Sequence, residues 1–211
     1  LGGVYSDLGH YEKAAAHFTE ALVIARELGN RQAESANLGN LGNTYKSRGQ
    51  YERAIEHYNR SIAIAQDIEN KRIECLIVGN LGGIYLFKGQ YDLALEHYTQ
   101  ALTVARAIKN KLGEDFNLGN IGEVHHYVGR YQLAIDTYNQ AIVSAIDRGD
   151  RRRHGNHLGN QAESLFRLGR LDEAELAWRK AIKLCDTASP ISANLFRGAL
   201  ALLLFQRGTS K

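Results

Sequence analysis

The sequence predicts an all-α chain, a right-handed α-solenoid (superhelix) of antiparallel helix pairs, and three observations lead there. Glycine and tyrosine return on a 40-residue clock as Gly9-His10-Tyr11, Gly49-Gln50-Tyr51, Gly89-Gln90-Tyr91 and Gly129-Arg130-Tyr131, with Gly169-Arg170-Leu171 as a fifth, altered copy. A fixed period in this range marks a stacked repeat array. The same clock carries Leu41-Gly42, Leu81-Gly82 and Ile121-Gly122, the alanines from Ala14 to Ala174, and the aromatics Phe18, Tyr58, Tyr98, Tyr138 and Trp178. Between the glycines the apolar residues keep helical spacing. Leu38, Leu41, Gly42 and Tyr45 stand at i, i+3, i+4 and i+7, and Tyr51, Ala54, Ile55, Tyr58, Ile62 and Ala65 continue a stripe after the break.

Each unit therefore holds two helices. Gly49 sits where the first must end, because glycine adopts the left-handed conformation that closes a helix without a Cβ penalty. Small residues at Gly42 and Ala54 let the two helices of a pair approach closely. In order, the chain is expected to begin with a partial first repeat over 1–29, a clipped helix with its partner at 11–28. Helix pairs follow at 31–68, 71–108, 111–148 and 151–187, and an unpaired helix at 191–207. All of 1–211 is read as a single array. Leu1-Gly2 is in register with Leu41-Gly42, and Gly208-Thr209-Ser210-Lys211 falls where a second helix should begin, so the chain reads as a piece of a longer protein. Each pair has an apolar face that it cannot bury alone, so the pairs stack and the first helices form an inner, concave wall.

Composition narrows the function. Hydrophobic content of 44%, charged content of 23% and a single proline suit a folded, soluble protein. A net charge of +3 is too small to imply nucleic acid or membrane as a partner. No run of about 18 apolar residues exists to span a bilayer. Cys75 and Cys185 neither recur with the repeat nor form a C-x-x-C pair, which points away from disulfides and structural zinc and toward a reducing, cytoplasmic setting. There is no Gly-rich phosphate loop, and the repeat places no nucleophile, base and orienting acid together. Neither enzyme activity nor a cofactor nor a metal is expected.

Leu-Gly-x-x-Tyr, then Gly-x-Tyr-x-x-Ala, then an aromatic four residues on, resembles the tetratricopeptide repeat over essentially the whole chain. Family members commonly repeat about every 34 residues; these helices are longer. Such lengthened units reading Leu-Gly-Asn, with turns such as Asn30-Arg31, Asn70-Lys71, Asn110-Lys111 and Asp150-Arg151, look like one subgroup. It includes the Leu-Gly-Asn adaptors of spindle orientation, kinesin light chains and the sensor arrays of bacterial signalling ATPases. The resemblance implies binding of a protein or peptide, with no chemistry of its own.

On the inner wall the sequence places Asn40, Asn80, Asn120 and Asn160. An asparagine amide offers a donor and an acceptor, matching the N–H and C=O of an extended peptide. Similar ladders bind peptides in the tetratricopeptide superhelix of a sugar-transferring enzyme and in the Leu-Gly-Asn adaptors, and these four positions match them; the bland alternative is a consensus residue capping nearby turns. Before each rung stands Gly39, Gly79, Gly119 or Gly159, there either for close approach of a ligand backbone or for close packing of adjacent helices. Glycine at these positions, where family members that clamp acidic chaperone tails carry lysine, makes a chaperone tail an unfit ligand. Beside the ladder the wall varies, as specificity positions should: Asn43, Lys46 and Ser47; Gly83, Leu86 and Phe87; Glu123, His126 and Tyr127; Glu163, Phe166 and Arg167. Phe87, Tyr127 and Phe166 could anchor an apolar residue or pack on the next repeat, and Glu123 and Glu163 would favour a nearby Lys or Arg.

The basic cluster Arg148, Arg151, Arg152, Arg153 and His154 reads as a solvated turn rather than a nucleic-acid site. His125 replaces the packing Tyr45 and Tyr85 and reads as a half-buried histidine. Three functions remain: an adaptor clasping an extended or helical segment through the Asn ladder; a sensor or autoinhibitory array of a larger signalling protein; and self-assembly through the terminal helices, chiefly the C-terminal one.

Overall fold

A computed structural model describes residues 1–209; Ser210 and Lys211, the end of the stretch expected to open a further helix, lie outside the described residues. Eleven helices follow one another among them: α1 (Gly2–Asp7), α2 (Tyr11–Glu27), α3 (Arg31–Ser47), α4 (Tyr51–Asp67), α5 (Lys71–Phe87), α6 (Tyr91–Ala107), α7 (Lys111–Tyr127), α8 (Tyr131–Asp147), α9 (Arg151–Arg167), α10 (Leu171–Ala188) and α11 (Pro190–Thr209). From α2 to α9 every helix has 17 residues. Three residues join each to the next, so two helices and two turns make the 40-residue clock. Proline opens α11 at its first helical position, where the missing N–H leaves no bond unmade.

The turns are self-sufficient. At the end of α3 the Gln50 amide donates to the Tyr45 carbonyl at 2.9 Å and the Gly49 amide to Lys46 at 3.0 Å, a Schellman closure with Gly49 at φ 70°. Glu69 and Lys109 hold the same left-handed position without being glycine, at φ 54° and 53°. The first helices α3, α5, α7 and α9 then start from a side-chain cap. Asn30 accepts from the Ala33 amide at 2.9 Å, Asn70 from Ile73 at 3.1 Å, Asn110 from Gly113 at 3.1 Å and Asp150 from Arg153 at 3.0 Å. Such a cap contributes about 1 kcal/mol. These residues, not the ladder asparagines, do the capping.

The chain forms two compact units, Leu1–Gly113 and Glu114–Lys211. In the first, Leu22, Leu38, Leu41, Tyr58, Ile77, Leu81 and Ile84 form one buried cluster. Within each pair the tyrosine of the second helix lies against a glycine of the first: a Cβ on Gly42 would strike the Tyr58 ring, and one on Gly82 would stand 3.0 Å from Tyr98. The neighbouring first helices use a second notch, since a Cβ on Gly39 would stand 2.6 Å from Ile77.

In the second unit the pattern returns with other side chains. A Cβ on Gly122 would come within 2.8 Å of Tyr138, one on Gly119 within 2.7 Å of His157, and one on Gly159 would strike the Phe196 ring. At Gly39, Gly119 and Gly159 the close packing of adjacent helices thus fills the space of the missing Cβ. Leu165, Trp178 and Leu203 are buried in one cluster with Phe166, Phe196 and Leu200 packed against it. The other side of α11 leaves Ile191, Leu195, Leu202 and Phe205 exposed, at helical spacing along one stripe. Among the described residues no helix is long and apolar enough to cross a membrane.

Two glycines of opposite surroundings test this packing. Gly42→Ala gains about 1 kcal/mol of helix propensity but overpacks Tyr58 at a cost of about 1–3 kcal/mol, so its melting temperature should fall. Gly198, inside α11 with open space where its Cβ would go, should become more stable by about 0.5–1 kcal/mol as alanine. Thermal melts of both variants against the parent chain read the two signs.

Candidate functional site

The candidate face lies on one helical stripe of each first helix. Along α9 it runs Arg152, Asn156, Asn160 and Glu163, and along α7 Leu112, Phe116, Asn120, Glu123 and Tyr127, the spacings of four and three that keep side chains on one side. In the first unit the corresponding stripes hold Ala36, Asn40 and Asn43 on α3 and Leu76, Asn80, Gly83 and Phe87 on α5.

In the first unit the polar groups bond partly to one another. Asn43 accepts the Tyr58 hydroxyl at 2.6 Å and the Asn80 amide at 3.2 Å. Asn43 is therefore a partner of the buried tyrosine as well as a wall residue. Burial pushes the Lys46 amine below its ordinary range, so this side chain lies along the wall rather than out in water. Phe87 is exposed at the end of α5, its ring 6.5 Å from that of Tyr51 and near parallel to it. Asn40 is half-buried and offers its backbone carbonyl to the Thr44 hydroxyl at 2.8 Å.

The second unit gathers more of the candidates. Phe116, Asn120, Glu123, Arg152, Asn156 and Asn160 line a depression of about 210 Å³. A second, of about 170 Å³, is lined by Glu123, His126, Tyr127, Tyr138, Asn160 and Glu163. Glu123 and Asn160 belong to both. Burial pushes the Glu123 carboxyl above its ordinary range, and a hydrogen bond with Tyr127 draws it only partly back. Burial also lowers His126, with Glu163 pulling it up and Arg167 pushing it down; its Nδ1 lies 2.9 Å from the Ser164 hydroxyl. Asn160 hydrogen-bonds with Tyr138, whose hydroxyl burial pushes well above the usual phenol range. The Asn120 amide nitrogen is buried without a hydrogen-bond partner among the described residues.

Two expected site residues are drawn elsewhere. Phe166 packs into the buried cluster, its ring 5.8 Å from Trp178, and Arg167 bonds Glu163 at 3.1 Å outside both depressions. Sequence reasoning misses Phe116, Arg152 and Asn156. Extending the ladder stripe one and two helical turns toward the helix start would find them, since they stand four and eight residues before Asn120 and Asn160.

The basic turn before α9 also differs from a solvated loop. Asp115 on α7 is fully buried. It meets His157 Nε2 at 2.8 Å, Arg153 at 3.1 Å and Arg148 at 3.4 Å. Arg148 further bonds Asp150 at 2.8 Å. Arg151 and Arg152 remain exposed. A buried carboxylate needs such partners, because an unpaired charge away from water costs several kcal/mol. This cluster ties α7 to α9 and so sets Asn120 beside Asn160.

Models of the tetratricopeptide repeat match residues 1–67 and 73–146, and a second such model matches 120–190. A search of curated proteins found no match. Among solved structures the chain is similar to BtubC from P. vanneervenii at a TM-score of 0.82 and 16% identity, covering 94% of this chain and 84% of that one. A signal transduction ATPase with numerous domains from Pyrococcus horikoshii, with a tetratricopeptide repeat sensor, matches at 0.85 and 20% identity over 99% of this chain and 32% of that one. A kinesin light chain with nearly identical repeats from Podosopora anserina matches at 0.72 and 15%, over 90% and 93%.

The half-buried Glu123 makes this face a stability cost with a definite pH sign. Its folded-state pKa is raised, so folding binds a proton and stability falls as pH rises from the ordinary carboxylate value through the raised one. Glu123→Gln should therefore melt above the parent chain at neutral pH, with the gap closing once the pH is below the ordinary carboxylate range. Melting curves across pH read this directly.

Proposed function

The chain belongs to the tetratricopeptide repeat family, and from that premise we propose that it is a protein-interaction module holding an extended or helical peptide segment against the face of its first helices. Tetratricopeptide repeats generally mediate protein interaction or sensing and are generally non-catalytic scaffolds. Each unit offers two rungs: Asn40 and Asn80 in the first, Asn120 and Asn160 in the second. The observation that carries this reading is the second unit's face, where Asn120 and Asn160 line one depression and the Asn120 amide nitrogen has no partner among the described residues. A buried donor left unmade costs about 1–3 kcal/mol, and a ligand carbonyl would satisfy it after a small rotation of the side chain. Neighbouring side chains, Lys46 and Phe87 in the first unit and Glu123, Tyr127 and Glu163 in the second, would then select the ligand's side chains.

The same face suits a sensor array in which it holds a helix of a larger protein until a ligand displaces it; the Pyrococcus horikoshii protein carries tetratricopeptide repeats as its sensor. A different surface supports self-association: the α11 stripe, with Ile191 79%, Leu195 69% and Phe205 68% exposed. Solvent-facing apolar stripes of this kind are characteristic of contact surfaces.

Affinity capture from a cell lysate tests the ladder. Compared with the parent chain, an Asn80→Ala, Asn120→Ala, Asn160→Ala variant shown by circular dichroism to stay helical should lose its bound proteins; equal capture by both would sink the ladder. Light scattering tests the α11 stripe. If the chain associates through it, Leu195→Glu with Leu202→Glu should shift a concentration-dependent mass to that of the monomer, while an unchanged mass would discard the stripe.

A further inference from the structure

Resting on the reading of this face as a ligand surface, we propose that the depression between α7 and α9 lined by Glu123, Tyr127 and Glu163 is a socket for one basic side chain, a lysine or arginine of the bound segment. The lining is chemically one-sided. Two carboxylates, the rings of Tyr127 and Tyr138, the His126 imidazole and the Asn160 amide surround it, and no Lys or Arg is among them. Burial holds the His126 imidazole below its ordinary range, which favours its neutral form. At about 170 Å³ the space is well below that of a site for a whole small molecule; it has room for a single long side chain.

Charge complementarity selects that side chain. Glu123 is half-buried, and the partner it has is the Tyr127 phenol rather than a cation. A carboxylate withdrawn from water without a cation is unfavourable, and an entering ammonium or guanidinium relieves that cost. Glu163 is held by Arg167 at 3.1 Å, but this is an exposed i,i+4 pair, a class that contributes little. A ligand cation can replace it. Tyr127 is 56% exposed, and a cation over its face would be attracted by the ring as well. Asn160 lines both depressions, so a segment whose backbone met Asn120 and Asn160 would deliver its next side chain between the two carboxylates.

The probe is a blocked peptide, Gly-Ala-Arg-Ala-Gly, titrated into isotope-labelled protein and followed by NMR, beside a counterpart with neutral citrulline in place of arginine. The arginine peptide should shift the amide signals of Glu123, Tyr127 and Glu163 in a saturable way and bind about ten-fold tighter than the citrulline peptide, a difference of about 1.4 kcal/mol. Glu123→Gln with Glu163→Gln, on the same helical fold, should erase that preference. Equal binding of the two peptides, or a preference that survives in the double variant, would overturn the socket. The ladder fails independently of this result. Loss of captured proteins in the asparagine variant together with no arginine preference removes the socket alone. An arginine preference together with unchanged capture keeps the socket and removes the ladder.

Discussion

Missing Cβ atoms hold this molecule together. Three helix pairs close over a glycine of the first helix, with Tyr58 against Gly42, Tyr98 against Gly82 and Tyr138 against Gly122, and all three tyrosines are buried; in the α9–α10 pair Ala162 holds that register position. A second set of glycines lets a neighbouring first helix insert a side chain: Ile77 at Gly39, His157 at Gly119 and Phe196 at Gly159. Glycine inside a helix costs about 1 kcal/mol relative to alanine. Burying an aromatic ring or a large aliphatic side chain contributes about 1.5–3 kcal/mol, so the exchange favours the packed array. The first notch sets how closely the helices of a pair lie, and the second sets how closely consecutive first helices lie, which is the spacing of the ladder itself.

Where the second unit departs from the repeat, it does so in a coordinated way. The register position of Asp115 is Ser35, Cys75 and Gly155 elsewhere, and in the first unit Ser35 simply donates to the Ser61 carbonyl at 2.9 Å. A carboxylate in that place must be neutralised. Arg148 stands where other units have Leu28, Ile68 and Ile108, and His157 stands where they have Asn37, Ile77 and Asn117. His157 also fills the notch at Gly119. One residue therefore packs two helices together and partners the buried charge, and the unit that holds the two candidate depressions is also the one pinned by this ionic cluster.

The candidate face shows two treatments of polar groups. In the first unit Asn43, Asn80 and Tyr58 spend part of their hydrogen-bonding capacity on one another. In the second, Asn120 keeps an unpaired donor and Glu123 a half-buried carboxyl whose protonation burial favours. A face that is fully satisfied within the chain has little to offer a ligand. One left partly unsatisfied loses some stability and keeps the capacity to bind, the trade on which the proposed function rests.

The all-α class, the helix pairs and the turn chemistry were legible in the chain itself, because period, helical spacing and left-handed glycine are local properties that recur once in every unit. Asn40, Asn80, Asn120 and Asn160 were legible as positions for the same reason. Their surroundings were not. That Phe166 turns into the core beside Trp178 while Tyr127 stays exposed depends on what the next helix brings against each ring. That Arg148 and Arg153 leave the solvent depends on Asp115, which stands more than 30 residues earlier in the chain, on α7. The sequence by itself determined the elements and their order, since those follow from each residue's near neighbours along the chain. Only the tertiary structure decided which polar groups are paired and which are not, because burial and pairing are set by side chains that meet across helices.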